Sequence, residues 1–549
     1  MPDNAVYILV GVIFVVYLLR KIQIRLRLSK AKHPSLRGHA KMSRRVSKLI
    51  PFYEYNENRV FSSDSAPEDV SSKRKAAFMR LAEQFKARSP KSIQQSEDLE
   101  DSISDVLFTN HYRVPFQFRN YVREHMKIGT LMEESADTRI KDIDGNWSYD
   151  LSGSYGVNVF GYDFYKDCIK KGCEKVESLG PVLGAYHPVI SDNVQRLKEI
   201  SGLDEVSFHM SGTEAVMQAV RLARFHTGKT HLVQFCGSYH GWWDGVQPGI
   251  GNDRKTNDVY TLKENDKDAL KVLRTRNDIA CVLINPLQAL HINSGAPGDA
   301  MLVNSERSAS YDRQVYSDWL KELRKVCTEK SIVLIFDEIF VGFRLAFRGA
   351  QEYFAVAADM VTYGKTLGGG LPVGVVCGKH QYMKRFKDNR PTKICFARGT
   401  FNSHPYVMGA MNEFLIKISD EQFKKQHYTA LDAIWNQRVE QLNRRLKEND
   451  LPVRIVNMVS IWTILFDLPS RYNWMFQYYL RSQGLAISWV GSGRLIMSHN
   501  YTDDEYEAVC ERIVNAAREM KADGWWWQSS ELTNKSIKRQ VLKELLFGH

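Results

Sequence analysis

The chain has 549 residues, of which 44% are hydrophobic and 25% charged, with 75 lysines and arginines against 63 acids for a net charge of +12. That length provides a sizeable core and two lobes. Its eight cysteines form no CxxC pair and several lie in apolar runs, which sets aside a disulfide framework and a cysteine metal site in favour of reduced, buried thiols.

Ala5–Leu19 (AVYILVGVIFVVYLL) carries no charge, and Arg20, Lys21, Arg25, Arg27, Lys30 and Lys32 follow at once. The run is at the short limit of a membrane span, which needs about 17–25 residues; Ile22, Ile24 and snorkelling Arg20 and Lys21 extend it. A cleaved signal peptide carries its basic residues before the apolar run and a small-residue cleavage motif after it, the reverse of this pattern. A core helix and an interfacial helix are the other readings. Residues 1–28 are expected to be a membrane anchor helix, and the positive-inside rule then keeps the rest of the chain in the cytoplasm.

Residues 29–109 are polar and basic, as in Ser43-Arg44-Arg45-Val46-Ser47. They are expected to be a juxtamembrane linker with one or two helices, such as Arg74–Ala87. The positive balance suits anionic lipid headgroups or an acidic carrier protein. No nucleic-acid-binding motif is present, and basic residues beside an apolar anchor are accounted for by the membrane.

Val206–Met210 reads as a short strand followed by the turn Ser211-Gly212-Thr213, with Thr213 suited to a helix N-cap. Val216, Ala219, Val220 and Ala223 then recur at helical spacing, so a helix starts there with free N–H groups and its positive dipole facing the turn. An anion fits that end, although any capped helix looks similar. Leu232–Phe235 is a second strand-like run, ending on Cys236-Gly237-Ser238-Tyr239-His240-Gly241. An aromatic there can lie flat on a planar ring, and Tyr239 is the candidate; a pair of partly buried loop residues is the plainer alternative. The loop Trp242–Thr261, with Gly245, Gly249 and Gly251, reads as a gate or a simple connector.

The most informative stretch is Ile332–Gly370 (IVLIFDEIFVGFRLAFRGAQEYFAVAADMVTYGKTLGGG). An apolar, β-branched run ends on Asp337-Glu338, and a second, Met360–Tyr363, leads to Lys365 and then Gly368-Gly369-Gly370. A carboxylate at the end of a buried strand can keep the ring nitrogen of pyridoxal phosphate (PLP) protonated, while a lysine on a nearby turn bonds the cofactor's aldehyde. Either residue alone is unremarkable. Their joint occurrence, with glycines permitting close backbone approach, favours a PLP site. Strand-like runs at Val206–Met210, His231–Phe235, Ala280–Ile284, Ile332–Phe336, Met360–Tyr363 and Val373–Cys377 alternate with helical patterns. That order is an α/β doubly wound, mostly parallel sheet with its ligand at the carboxyl ends of the strands.

FHMSGTEAVMQAVRLAR, GSYHGWWDG, DEIFVGFR, YGKTLGGGLPVG and RGTFNSHP resemble the successive signatures of class III PLP-dependent aminotransferases. The nearest look is to glutamate-1-semialdehyde aminomutase and to polyketide-synthase-associated aminotransferases. Ile143–Asp150, Gly153–Gly161 and Leu179–Gly184 resemble the start of that family, so the likeness spans roughly residues 110–525. It implies Lys365 as the cofactor-bonding, proton-shuttling lysine and Asp337 as partner of the ring nitrogen. It implies Ser211, Gly212 and Thr213 as the phosphate cup and Tyr239 as the stacking ring, with His240 beside it. Thr400 resembles a threonine that reaches the phosphate from a neighbouring subunit, which makes the expected unit a homodimer. Tyr155 stands where the aminomutases carry a substrate-facing aromatic. One departure is Asn285-Pro286, where the family usually has Glu-Pro.

The resemblance implies PLP-dependent transferase fold type I, with residues 206–404 as the large PLP-binding domain and 110–205 and 405–525 as the two parts of a smaller α/β lobe. Residues 526–549 read as an amphipathic tail, and Trp525-Trp526-Trp527 as an aromatic cluster packing in the dimer or at a membrane interface. The expected function is transfer of an amino group from an amino acid to an aldehyde or ketone, hydrophobic or carrier-bound, at the cytoplasmic membrane face. An intramolecular aminomutase and a non-catalytic membrane scaffold are the alternatives.

Overall fold

The computed structural model describes residues 2–34, 38–247, 249–254, 256–291, 309–488 and 494–547. At its centre are seven strands: β1 (Glu205–His209), β2 (His231–Phe235), β3 (Val259–Leu262), β4 (Ile279–Ile284), β5 (Val333–Asp337), β6 (Met360–Gly364) and β7 (Gly374–Gly378). Their order across the sheet is β1-β7-β6-β5-β4-β2-β3. Only β7 runs antiparallel to its neighbours; the other pairs are parallel. The inner strands β4, β5, β6 and β7 are buried at every position, which is why they read as continuous apolar runs rather than alternating ones. Strand β3 escaped sequence reading because Val-Tyr-Thr-Leu alternates weakly and sits at the end of a glycine-rich loop.

Helices Gly212–Thr227, Lys267–Thr275, Arg313–Glu329 and Gly349–Phe354 form the crossovers. The smaller lobe draws on both flanks of the chain. Leu485–Ala486 pairs in parallel with Tyr149–Asp150, extending the sheet of Met132–Ala136, Arg139–Asp142 and Trp147–Asp150. Val453–Met458, Ile461–Phe466 and Arg494–Ile496 form a second, antiparallel sheet. The two flanks are also joined where helix Tyr162–Val176 crosses helix Pro405–Ser419. There Gly172 and Gly409 face one another so closely that a Cβ on Gly172 would lie 2.3 Å from Ala410 N.

The segment expected to be a linker is part of the folded body. It contains helices Ala40–Ser47, Glu57–Ser62, Glu68–Arg88, Pro90–Glu100 and Ser104–Tyr112. Phe61, Phe78, Leu81 and Phe85 of these join the main core. Its charge misled local reading because part of that charge is internal. Arg74 is fully buried and forks onto Asp64 with two 2.8 Å bonds, its Nε donates to Gly524 O at 2.8 Å, and its guanidinium lies 4.5 Å from the Tyr472 ring centroid. Such a paired, hydrogen-bonded cation can occupy a core that an isolated one cannot.

The carboxyl terminus is likewise integrated. Trp525 and Trp526 are buried within their own chain, donating from Nε1 to Tyr479 Oη at 2.8 Å and Asn473 Oδ1 at 2.9 Å, so neither needs a subunit partner or a bilayer to cover it. Beyond them helix Asn534–Phe547 packs onto residues 53–59. At the other end the N-terminal helix runs from Pro2 to Ala31, three residues past the expected anchor. Its residues 6–19 are exposed, whereas Ala31 is buried, Leu28 packs on the core and Lys263 N donates to Ala31 O at 2.8 Å. The helix is long and apolar enough to cross a membrane. All eight cysteines are free thiols, seven of them buried.

Candidate active site

Strands β5 and β6 are adjacent and parallel, with Asp337 in register opposite Thr362. Lys365 follows β6 directly. The carboxylate and the amine therefore leave the sheet at the same edge, on neighbouring strands, as the two apolar runs imply.

Asp337 is buried, and its carboxylate is held from three sides. His240 Nδ1 donates to Oδ2 at 2.7 Å, Ile339 N donates to Oδ1 at 3.2 Å, and Thr362 Oγ1 approaches Oδ1 at 3.4 Å. His240 is itself buried, and its Nε2 has no protein partner among the described residues. Lys365 has φ +49°, a left-handed conformation that is strained for a residue with a side chain. Its Nζ lies 5.9 Å from the centroid of the Phe340 ring. Burial pulls the amine below its ordinary range; Asp337 opposes that shift and the buried guanidinium of Arg344 adds to it.

The turn after β1 opens a helix, but Ser211, not Thr213, is the N-cap: its side chain accepts from Glu214 N at 3.3 Å. Thr213 is buried in the first turn. A Cβ on Gly241, whose φ is +93°, would come 2.4 Å from Thr213 Oγ1, so only glycine lets the two turns close on each other. Gly212 is confined in the same way, a Cβ there meeting Ile339 Cδ1 at 2.7 Å. Tyr239 is exposed beside this turn, its phenol pushed up by burial of the hydroxyl and by Asp337.

Tyr155 is half exposed with φ +57°, next to Ser154 at +44°. Its neighbour Gly156 lies against the site, a Cβ there falling 2.6 Å from Phe340 Cε2 and 3.4 Å from Lys365 Cδ. Thr400 is exposed on the loop after strand Arg390–Ile394, and among the described residues no hydrogen bond links it to the other candidates. Asn285 ends β4, whose Ile284 pairs with Phe336, so Asn285 stands one strand away from Asp337. Its Oδ1 accepts from Leu287 N at 3.1 Å and caps the short helix Pro286–Leu290. The loop after Gly241 is tied down by Arg44, whose Nη1 donates to Asn252 O at 3.0 Å and Arg254 O at 2.8 Å.

Three arginines were not foreseen. Arg344 is buried, donating to Ser460 Oγ at 2.9 Å, Met497 O at 2.6 Å and Asn158 O at 3.0 Å, and joins the site to the small lobe. The one cation of DEIFVGFR, set directly after the apolar IFVGF, was its available signal. Arg113 and Arg481 lie near Tyr155, brought there from opposite ends of the chain. Burial pushes both guanidinium groups down, and Arg113 pushes Arg481 further. No local pattern connects them.

A strand-end carboxylate and lysine, a capped helix N-terminus and an aromatic beside it are the kinds of group that suit PLP's ring nitrogen, aldehyde, phosphate and ring face. The orphaned His240 Nε2 and the glycine-confined turns at Gly212 and Gly241 are consistent with a planar, anionic ligand between them. This is a PLP-dependent transferase built on a mostly parallel α/β sheet. A family model for class III aminotransferases matches residues 120–517, and the chain belongs to that family. Glutamate-1-semialdehyde 2,1-aminomutase of Methanocaldococcus jannaschii is 30% identical over 356 residues, covering 61% of this chain and 76% of that one. Among solved structures, a glutamate-1-semialdehyde aminomutase from Pseudomonas aeruginosa PAO1 superposes with a TM-score of 0.65 at 18% identity, over 82% of this chain and 99% of that one. A transaminase solved with PLP bound gives 0.61 at 22% identity, over 72% and 92%. The chain is a PLP-dependent aminotransferase of class III.

Proposed function

We infer that this aminotransferase takes the amino group of an amino acid and delivers it to a separate aldehyde or ketone, at the cytoplasmic face of a membrane that its N-terminal helix enters. The observation that carries the catalytic part is the pairing of a buried, histidine-braced Asp337 with Lys365 on adjacent strand ends.

Bound PLP supplies an electron-accepting ring that makes the Cα proton of an attached amino acid acidic. Asp337, fixed by His240, Ile339 and Thr362, would pair with the ring nitrogen and keep it protonated. Lys365 would bond the cofactor's aldehyde and, as a neutral amine, would carry a proton at Nζ; burial and Arg344 favour that neutral form. The N-terminus of helix Gly212–Thr227 holds the phosphate with Ser211, Gly212 and Thr213. Tyr239 covers the ring face. Thr400, exposed here, would help hold the phosphate in a second subunit of a homodimer. Tyr155 contacts substrate, and the positive potential of Arg113 and Arg481 beside it receives the donor's carboxylate.

The anchor reading rests on the exposed apolar helix followed by basic residues. It supports an acceptor that partitions into the membrane or arrives on an acyl carrier protein, since confinement raises encounter frequency without a new contact. The aminomutase relatives support a second reading, in which one molecule keeps both functional groups.

Isotopic crossover separates these readings. The enzyme is given an amino acid donor labelled at nitrogen and unlabelled aldehydes of rising chain length. Intermolecular transfer puts label into the aminated acceptor and releases a keto acid. If the bound cofactor's absorbance is unchanged by every donor and no label crosses, the transfer reading fails. Loss of that absorbance in Lys365→Ala, with its presence in the native chain, excludes the scaffold.

A further inference from the structure

Two segments from opposite ends of the chain meet at one carboxylate. Tyr55 Oη donates to Glu544 at 2.6 Å, Tyr53 Oη at 3.2 Å and Arg59 Nη2 at 3.1 Å, while Arg471 forks onto it at 2.9 and 3.0 Å. This buried cluster clasps the stretch 40–59 to helix Asn534–Phe547. Neither segment of the clasp is a tail, and each shows the solvent large apolar side chains among basic ones.

On one side Leu49 is 80% exposed and Phe52 71%; on the other Leu546 is 65% and Phe547 81%. A stable body with this much core does not leave large apolar side chains outward on two clasped segments without a use for them. The surrounding charge is of one sign. Residues 40–52 hold four lysines and arginines and no acid, and residues 534–547 hold four with Glu544, inside the clasp, as the only acid. On helix Asn534–Phe547 the exposed Lys535, Arg539, Leu542 and Leu546 fall on one side at helical spacing, opposite the buried Ile537 and Glu544. The exposed Lys41, Arg45 and Lys48 repeat that spacing opposite the buried Ser43.

Basic residues interleaved with large apolar ones on the outer side of a helix are the pattern of a segment lying in the headgroup layer of a bilayer. The position is right for it. Ala40 is nine residues beyond Ala31, where the apolar N-terminal helix is pinned to the body by Lys263, a span of at most about 30 Å of chain. We propose that the clasped pair, residues 40–52 and helix Asn534–Phe547, is a membrane-surface face that seats the enzyme body on anionic lipid. This face is distinct from the anchor helix. The anchor tethers; the face fixes which side of the body meets the bilayer, and the clasp at Glu544 makes it one rigid unit. It also binds the loop after Gly241 to that unit, through Arg44.

The full chain, with Cys173→Ser to remove its one half-buried thiol, carries a polarity-sensitive fluorophore at Leu546→Cys or, separately, Phe52→Cys. It is reconstituted in vesicles of phosphatidylcholine alone or mixed with phosphatidylserine, each containing a nitroxide-labelled lipid. Both labels are expected to be quenched by the lipid, several-fold more with phosphatidylserine, and charge reversal by Lys535→Glu, Arg539→Glu and Lys543→Glu removes the difference while the cofactor's absorbance persists. Labels quenched only by aqueous iodide overturn the proposal. Labels shielded from both lipid and iodide, with transfer between labelled copies, overturn it in favour of a second chain covering the face. Co-flotation with phosphatidylcholine vesicles tests the anchor helix separately, and the body's labels report on added vesicles even where that tether fails.

Discussion

The carboxyl edge of the central sheet and the clasp of the two termini are both built from buried charge, yet only the first was readable in advance. At the sheet edge each functional group sits at the end of its own strand, so the pattern that makes the strand also places the group. Asp337 and Lys365 need only the register of β5 against β6 to meet. At the clasp, Arg471 and Glu544 come from loop and helix, and Tyr53, Tyr55 and Arg59 from a polar stretch with no apolar period. Partners of that kind are invisible until the chain is folded. The first region is organised for chemistry and the second for holding the ends of the chain on the body, and substitutions should separate the two.

The largest effect is expected at Lys365. Lys365→Ala removes the group proposed to bond the cofactor and move the proton, so turnover should fall by more than about a thousandfold. With both proteins freed of cofactor, its thermal midpoint should stay close to that of the native chain, since no hydrogen bond of the fold is lost and the cofactor's own stabilisation is removed from both. Steady-state turnover with cofactor and a melting curve on the cofactor-free samples check both. A large drop in midpoint would move Lys365 from the chemistry to the core. Asp337→Asn comes next. The amide keeps an acceptor for Ile339 N and Thr362 but withdraws the charge facing the ring nitrogen, and a loss of about a hundredfold or more in kcat is expected. An unaltered kcat would show that His240 or solvent can substitute for the carboxylate.

Residues 29–109 show what local reading lacks. A helix was anticipated over Arg74–Ala87 and one spans Glu68–Arg88, because Ala77, Phe78, Leu81, Ala82 and Phe85 recur at helical spacing. What was missing was the covering surface. Arg74 looked like a solvent charge until Asp64, Tyr472 and Gly524 O surrounded it. The helix N-cap at the phosphate end was misplaced by two residues, to Thr213, since both hydroxyls suit the role and only the backbone decides: Ser211 is extended, and Thr213 is already in the first turn. Arg113 and Arg481, near Tyr155, could not have been paired from sequence at all.

The clasp should behave oppositely to the site. Glu544→Ala leaves Arg471 buried and without its carboxylate, and a stability loss of about 3 kcal/mol is expected with kcat unchanged. Acid gives the same answer in the native chain. Burial alone would raise the Glu544 carboxyl, but hydrogen bonding and charge from Arg471 outweigh it and hold the group down to about 2, against an ordinary 4.5. The unfolded chain therefore binds the extra proton between those values. The clasp contributes its full stability above about pH 4.5 and loses it as pH falls toward 2. Denaturant titrations at several pH values should show a slope in that window that Glu544→Ala abolishes. An unchanged slope would place the acid-labile group elsewhere.

The smallest expected effect tests the sheet edge at Asn285. Asn285 stands one strand from Asp337, strands being about 4.8 Å apart, and it uses its side-chain oxygen to cap the helix that follows. A carboxylate at 285 would bring a second negative charge beside Asp337 in a buried setting. Like charges that close raise each other's pKa, so Asn285→Glu should shift the acid limb of the kcat/KM profile upward by up to about one unit. The longer side chain caps less well, and a stability change under about 1 kcal/mol is expected. An amide at this position thus frees Asp337 from a competitor while leaving the cap in place. A pH–rate profile that does not move would show instead that the charge at 285 is screened from the cofactor's nitrogen by its own hydrogen bonds, and that the substitution acts on the cap alone.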